Sequence, residues 1–218
     1  MRPAPTTMSA ELRTERQDRT LVLTLTDTDT RNALSEEITA AGVEALSVAE
    51  SSEEVRCVII TGAEGNFCSG GNLQQLSHNS RLGPEVQTQR LDRFHRLIEA
   101  IRTFPKPVIA AVEGAAAGGG CSLALACDLI VAARDARFLL AYNRIGLSPD
   151  GGATWHLMQA LPRALVTQLV WLGDPVTAEQ LHAHGLVNRV TDKGQALDQA
   201  LGIALRLADL APNALASS

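Results

Sequence analysis

Apolar positions in this chain come in short dense blocks separated by polar, turn-forming stretches. Leu21 to Leu25 (LVLTL) is a β-rich run, and the polar Glu15 to Arg19 before it predicts a hairpin turn back toward Glu11-Leu12. Thr26 to Arg31 reads as loop. Ser35 followed by Glu36 and Glu37 predicts a helix start, a hydroxyl cap with acids in the first turn, continuing through Ile38, Ala41, Val43, Leu46 and Val48. Val55 to Thr61 (VRCVIIT) is nearly continuous apolar and β-branched, the pattern of a strand buried on both faces. The order is therefore β, α, β.

Further along, Ser77 to Glu85 carries turn formers and little periodicity and is expected to be a mobile loop. A helix from Val86 follows, with Leu91, Phe94, Leu97, Ile98 and Ile101 at spacings of three or four, ending before Pro105-Lys106-Pro107. Val108 to Val112 is the next buried strand. Cys121 to Ala126 has room for about two helical turns before a strand over Asp128 to Ala132. Beyond the turns at Gly146, Pro149 and Gly151-Gly152, helix is predicted through Trp155 to Leu172, with Pro162 starting a second one at its first turn. Thr177 is expected to cap Ala178 to His184, Gly185 to stop it, Leu186-Val187 to be a short strand, and Gln195 to Leu210 to be the last long helix, with Pro212 able to begin another. No repeat stands out beyond this recurring strand and helix unit.

Composition sharpens that picture to an α/β fold. The 218 residues are 45% hydrophobic but only 3% aromatic, so core volume must come from Ala, Val, Leu and Ile packed closely on short strands. The net charge of −5 and the lack of any Lys/Arg run argue against nucleic acid as a partner. The four cysteines, Cys57, Cys68, Cys121 and Cys127, sit in apolar or glycine-rich contexts without a C-x-x-C pair, as expected of small buried hydrophobes in a reducing cytosol. Met1 to Ser9 has no apolar core and reads as neither signal peptide nor membrane span.

Two glycine-rich segments are the first candidates for chemistry, since backbone amides at a helix start can hold developing negative charge. Gly114 to Gly120 lacks the Lys and Ser/Thr of a phosphate loop and the G-x-G-x-x-G spacing of a dinucleotide fingerprint. Gly120 to Ala124 is one Gly short of a nucleophile elbow. Asn66 to Leu73 and Gly114 to Ala126 each follow a buried strand, so both turns can converge at strand C-terminal ends. The competing reading is that the glycines only permit close packing or a positive φ.

Arg31-Asn32-Ala33-Leu34-Ser35, Asn66 to Leu73, Pro107 to Gly114, Gly118 to Asp128 and Gly146 to Gly152 resemble, in order and spacing, the crotonase (enoyl-CoA hydratase/isomerase) superfamily, over about Leu21 to Val190. The resemblance implies an α/β crotonase-like (ClpP/crotonase) spiral of repeated ββα units: a leader over 1–10, a core domain over 11–192 and a C-terminal helical region over 193–218 that is short for the family. It places an oxyanion hole on the N–H groups of Gly71 and Gly119 and a CoA surface around Arg31, Ala33, Ser69 and Leu73, with Asn72, Gly118, Ser122 and Tyr142 also expected at the substrate. It implies an acyl-CoA thioester as partner, no metal and no cofactor beyond the substrate's own coenzyme A, a cytoplasmic homotrimer or dimer of trimers, and no membrane attachment.

Family hydratases add water with two glutamates, and the corresponding positions here are Ser122 and Tyr142. A single acid remains at Asp150, where the resemblance to isomerases puts one, and the stretch from Ser148 to Trp155 looks closest to members of phenylacetate-type ring catabolism and enoyl isomerisation. One carboxylate can take a proton from one carbon and return it to another. An apolar lining of Leu139, Leu140 and Ile145 is expected to raise its pKa. Asp150 also reads as a simple turn residue capping the helix near Gly152. Ser122 is a candidate to position water or to bond back to the previous turn, and Tyr142 to donate to substrate or to cover the pocket rim. His156 is undecided, while His78, His95, His182 and His184 read as surface histidines. Double-bond isomerisation is thus favoured over hydratase-like lyase or hydrolase chemistry; a CoA-thioester-binding protein without turnover, and a purely structural subunit, stand as readings of other classes.

Overall fold

The computed structural model describes residues 10–79 and 81–216, so the expected leader lies, except for Ala10, outside the described residues. Strands β1 (Glu11–Gln17) and β2 (Thr20–Thr26) form the expected antiparallel hairpin. Helix α1 (Glu36–Ser51) follows, with the Ser35 hydroxyl accepting from the Ile38 N–H as its cap. Strand β3 (Cys57–Gly62), β4 (Val108–Val112), β6 (Leu129–Ala133) and β9 (Arg189–Thr191) then add in parallel, one after another, to give a six-stranded sheet in the order β1-β2-β3-β4-β6-β9. The central strands β3 and β4 are buried on both faces, which is why their sequences are continuously apolar rather than alternating.

A second sheet is made of three very short strands, β5 (Ala115–Ala117), β7 (Arg137–Leu139) and β8 (Val176–Thr177). A bridge from Cys68 to Ala116 ties the segment after β3 to its edge. Each turn of the chain thus contributes one strand to the large sheet and a short strand or bridge to the small one. None of these pieces is long enough to show a period-2 pattern, so the small sheet was not legible as strands.

The helices between them cover the large sheet's two faces. On one side lie α1, α3 (Pro84–Arg102) and α4 (Gly119–Ala126), which share a core with Leu23, Val58, Ile60 and Ala110. On the other lies α8 (Ala196–Ala208), whose Ala196, Ala200 and Ala204 repeat every four residues and bring the helix close to Val22, Ile59, Ile109 and Val131. Helices α5 (Ala153–Ala160), α6 (Arg163–Leu172) and α7 (Ala178–Ala183) flank the small sheet, and α9 (Pro212–Ala216) follows α8. Thr177 caps α7 as expected, and with Gln180 it forms a reciprocal capping box. Among the described residues no helix is long and apolar enough to cross a membrane.

Two expectations are corrected. The expected loop over 77–85 is helical at both ends and remains a turn at 81–83: α2 (Leu73–Asn79) starts because the Asn72 side-chain oxygen accepts the N–H groups of Gln74 and Gln75, and Pro84 opens α3 two residues early, at a position where a missing N–H costs nothing. Ser80, inside that stretch, lies outside the described residues, as does the His78 side chain. Leu186-Val187 is a turn, not a strand: both N–H groups bond back to Leu181 O, at 3.0 and 3.4 Å, and pairing with β6 begins at Arg189.

Candidate active site

The site begins with a strap. Residues 27–34 run alongside 66–71, and Asn32 holds the two together. It is buried, at φ +61°, a conformation asparagine tolerates better than most residues. Its amide donates to Ala63 O at 2.9 Å and Asn66 O at 2.8 Å, and its side-chain oxygen accepts from Asp27 N at 3.0 Å. Ser69 N bonds Arg31 O (3.1 Å), Ser69 Oγ donates to Thr30 O (2.7 Å) and Leu34 N bonds Gly70 O (2.7 Å). These bonds tie the strap to its neighbour on both sides of Asn32 and leave little freedom at Gly70-Gly71.

The second glycine turn locks into the first. Cys68 N bonds Ala115 O and Ala117 N bonds Cys68 O, both at 2.9 Å. A Cβ on Gly70 would stand 2.5 Å from Ala117 O, and one on Gly120 would stand 2.4 Å from Cys68 O, so both positions need the missing side chain. Gly118, at φ +51°, turns the chain into α4, whose first residue is Gly119. No acceptor among the described residues takes the N–H of Gly71 or of Gly119. Two backbone donors on adjoining turns are thus left for a ligand, and such a pair can hold developing negative charge on one oxygen.

Asp150 approaches from the small-sheet side, on the loop between a 3₁₀ turn (Ala141–Ile145) and α5. Tyr142 Oη donates to Asp150 Oδ1 at 2.6 Å, and Ser122 Oγ donates to the Asp150 carbonyl at 3.0 Å and lies 3.3 Å from Tyr142 Oη. The side chain therefore does not cap α5, whose N-cap is Gly152 with no side-chain partner. Gly151, at φ +56°, lets the loop dip inward: a Cβ there would be 2.7 Å from the Phe94 ring and 2.8 Å from Ser122 Cβ. Burial raises the Asp150 pKa above the usual carboxylate range, opposed by the Tyr142 hydrogen bond and the charges of His95 and Arg90. Burial and the Asp150 charge both push the Tyr142 hydroxyl up, so it stays a neutral donor.

Between the glycine turns and Asp150 opens a cavity of about 1030 Å³, roofed by α3. Of the residues singled out in the sequence, Ser69, Gly71, Leu73, Gly118, Gly119, Tyr142 and Asp150 line it. Arg31, Ala33, Asn72 and Ser122 do not: Ala33 is buried, Asn72 caps α2, and Ser122 is fully buried with its hydroxyl turned to Asp150 O and Gly118 O. The expected apolar lining is corrected as well. Ile145 is present with Leu147 and Phe94, but Leu139 and Leu140 line a separate small cavity with Cys121 and Leu157.

A profile of the enoyl-CoA hydratase/isomerase family matches residues 15–217. The chain belongs to that family. It is 37% identical over 190 residues to the 1,2-epoxyphenylacetyl-CoA isomerase of Escherichia coli K12, covering 86% of this chain and 72% of the relative. It is 35% identical over 206 residues to the 2,3-dehydroadipyl-CoA hydratase of the same strain, covering 94% and 79%. The crystal structure of an enoyl-CoA hydratase from Polaromonas sp. JS666 superimposes with a TM-score of 0.94 at 54% identity, covering 95% of this chain and 80% of that one. The enoyl-CoA hydratase/isomerase fold is therefore shown for this chain, and names of both reactions occur among its relatives.

Within that family frame, sequence reading missed the contribution of α3. Gln87, Arg90, Leu91, Phe94 and His95 all line the cavity, and His95 Nε2 accepts from the Gly151 N–H at 3.4 Å, so His95 faces the site rather than bulk solvent alone. The missed signal was the spacing: Gln87, Arg90, Leu91 and Phe94 fall at i, i+3, i+4 and i+7, one stripe of the helix with polar members embedded in it. His156 packs edge-on to Trp155 away from the cavity, and His182 Nδ1 bonds Val187 O at 2.7 Å, both structural placements.

Proposed function

We propose that this protein is an acyl-CoA isomerase that shifts a double bond next to a thioester. The observation that carries the reading is the fate of Ser122 and Tyr142. These occupy the positions where hydratases of the family carry their two acids, and here both hydroxyls hold one residue, Asp150: Tyr142 at its carboxylate and Ser122 at its backbone carbonyl. Glu36, also on the cavity wall, is engaged by Arg93. Addition of water needs a base for the water and an acid for carbon; moving a double bond needs only one group that takes a proton and returns it.

In this mechanism the thioester oxygen of a 3-enoyl-CoA sits against the Gly71 and Gly119 N–H groups, with Ser69, Leu73 and Gly118 around the acyl end of the CoA. Asp150 removes the C2 proton, the electrons pass onto the thioester oxygen as a dienolate, and the two amides stabilise that charge. The protonated Asp150 then delivers its proton to C4, the oxygen's electrons return, and the conjugated 2-enoyl-CoA is formed. Tyr142 occupies Oδ1, so Oδ2 is the atom that carries the proton. A buried site favours the neutral acid formed midway, which suits a base that must hold its proton briefly. The 1,2-epoxyphenylacetyl-CoA isomerase of Escherichia coli is a relative named for an isomerisation of an acyl-CoA.

Two measurements test the reading. Incubation with a 3-enoyl-CoA should produce the near-ultraviolet absorbance of a conjugated enoyl thioester faster than the same enzyme hydrates a 2-enoyl-CoA; hydration without isomerisation would overturn it, and binding without either reaction would make the protein a carrier. The acid side of the kcat/KM profile should fall at a pH above the usual carboxylate range, because the base must be ionised and burial raises its pKa. Since the Tyr142 hydrogen bond holds that pKa down, Tyr142→Phe should move the inflection further up. An inflection moved down would remove Asp150 as the titrating base.

A further inference from the structure

Arg90 is a charged side chain of the cavity that the reaction above leaves without a task and, unlike Glu36, Arg93 and Arg144, it forms no ion pair among the described residues. It sits on the inner stripe of α3, and its Nη2 lies 3.2 Å from where a Cβ on Gly71 would stand, beside one of the two free amides. Its Nη1 is closed off from solvent and has no hydrogen-bond partner among the described residues. Both acids near it are already engaged, Glu36 with Arg93 and Asp150 with Tyr142, and they act on Arg90 only through their fields. A guanidinium keeps its charge even where burial opposes it. Buried charged donors left unpaired are costly, and that cost is recovered when an acceptor arrives.

We infer that Arg90 is an anion subsite of the acyl pocket and that the preferred acyl groups carry a carboxylate. The inference rests on the proposed acyl-CoA reading and adds the class of acyl chain. Of the anions an acyl-CoA offers, carboxylate and phosphate both suit the planar fork of a guanidinium, so position decides between them. The thioester oxygen already has the Gly71 and Gly119 amides. The phosphates of coenzyme A stand a whole pantetheine arm away from the thioester, whereas Nη2 lies beside the Gly71 amide proposed to hold the thioester oxygen. Leu76, Leu91 and Phe94 also line the cavity beside Arg90, so an uncharged chain would bring the guanidinium no acceptor.

The test is calorimetric binding of saturated acyl-CoA pairs that cannot isomerise and differ only in a terminal carboxylate: succinyl against butyryl, glutaryl against pentanoyl, adipoyl against hexanoyl. The wild-type protein should favour the acid of at least one pair by about ten- to a hundredfold, the worth of a charge-assisted hydrogen bond. Arg90→Met should erase or invert that preference, and Arg90→Lys should restore part of it. The melting temperature of Arg90→Met should hold or rise, because an unpaired buried charge is removed. Equal binding within every pair would overturn the inference, as would an equal loss on both members in Arg90→Met, which would put Arg90 on the part the esters share. Failure to bind any of the esters would instead overturn the acyl-CoA reading on which the subsite rests.

Discussion

Replacing Asp150 by Asn should lower kcat for 3-enoyl-CoA isomerisation by about a thousandfold or more while tight binding of a saturated acyl-CoA persists. A positioned general base contributes roughly 10²–10⁴ to rate, and here the same group serves twice, as base at C2 and acid at C4. An asparagine oxygen still accepts from Tyr142, so the loop geometry is kept. Stability separates chemistry from folding. The folded-state pKa of Asp150 is raised, so its linked contribution is present below the unfolded pKa and lost as pH rises through the raised value. At neutral pH the asparagine variant should therefore melt no lower than the wild type, and its advantage should fade toward acid pH. Stopped-flow absorbance and a thermal scan at two pH values read both; unchanged turnover would take Asp150 out of the mechanism.

Deleting one backbone donor should cost nearly as much. Gly119 is the first residue of α4, where proline is tolerated because that N–H has no partner inside the helix. Gly119→Pro removes the donor and should reduce kcat by about 10²–10³, the typical effect of losing one oxyanion donor, with KM changed far less. Crowding is the confounding effect, since a Cβ at this position lies 3.3 Å from Leu34 Cδ1 and 3.5 Å from the Phe94 ring. Gly119→Ala adds the same Cβ and keeps the N–H. Single-turnover rates for the pair separate the two effects: an equal loss in both would mean that space, and not the donor, sets the rate.

How much of this was readable depends on how each signal is carried along the chain. Strands β3 and β4 and helices α1, α3 and α8 announce themselves, because a buried strand or an amphipathic helix repeats its pattern over several residues. The glycine turns and Asp150 were readable because they sit in ordered motifs. The small sheet was not, since strands such as Ala115–Ala117 and Val176–Thr177 are defined only by what lies beside them. Nor was the partnership of Ser122 with the Asp150 carbonyl, a contact between residues 28 apart that no local pattern encodes. Arg90 and His95 lie in the legible helix, yet which of its stripes meets the cavity depends on how α3 crosses α1 and α4, a tertiary fact. Asn72 shows the reverse case: adjacent to the glycine motif, it was expected at the substrate, and its side chain instead starts a helix.

The strap through Asn32 also says when in folding the site comes into being. Its bonds join residues 31 to 39 apart in sequence, and the interlock of Cys68 with Ala115 and Ala117 spans a still longer loop. Closing such loops is slow compared with forming helices, because chain entropy is lost before the contacts form. Helix content during refolding can therefore recover while Gly71 and Gly119 are still far apart, and a half-folded chain has no rudimentary version of the site. The paired amides are therefore expected to come together with the last long-range closures rather than in step with secondary structure.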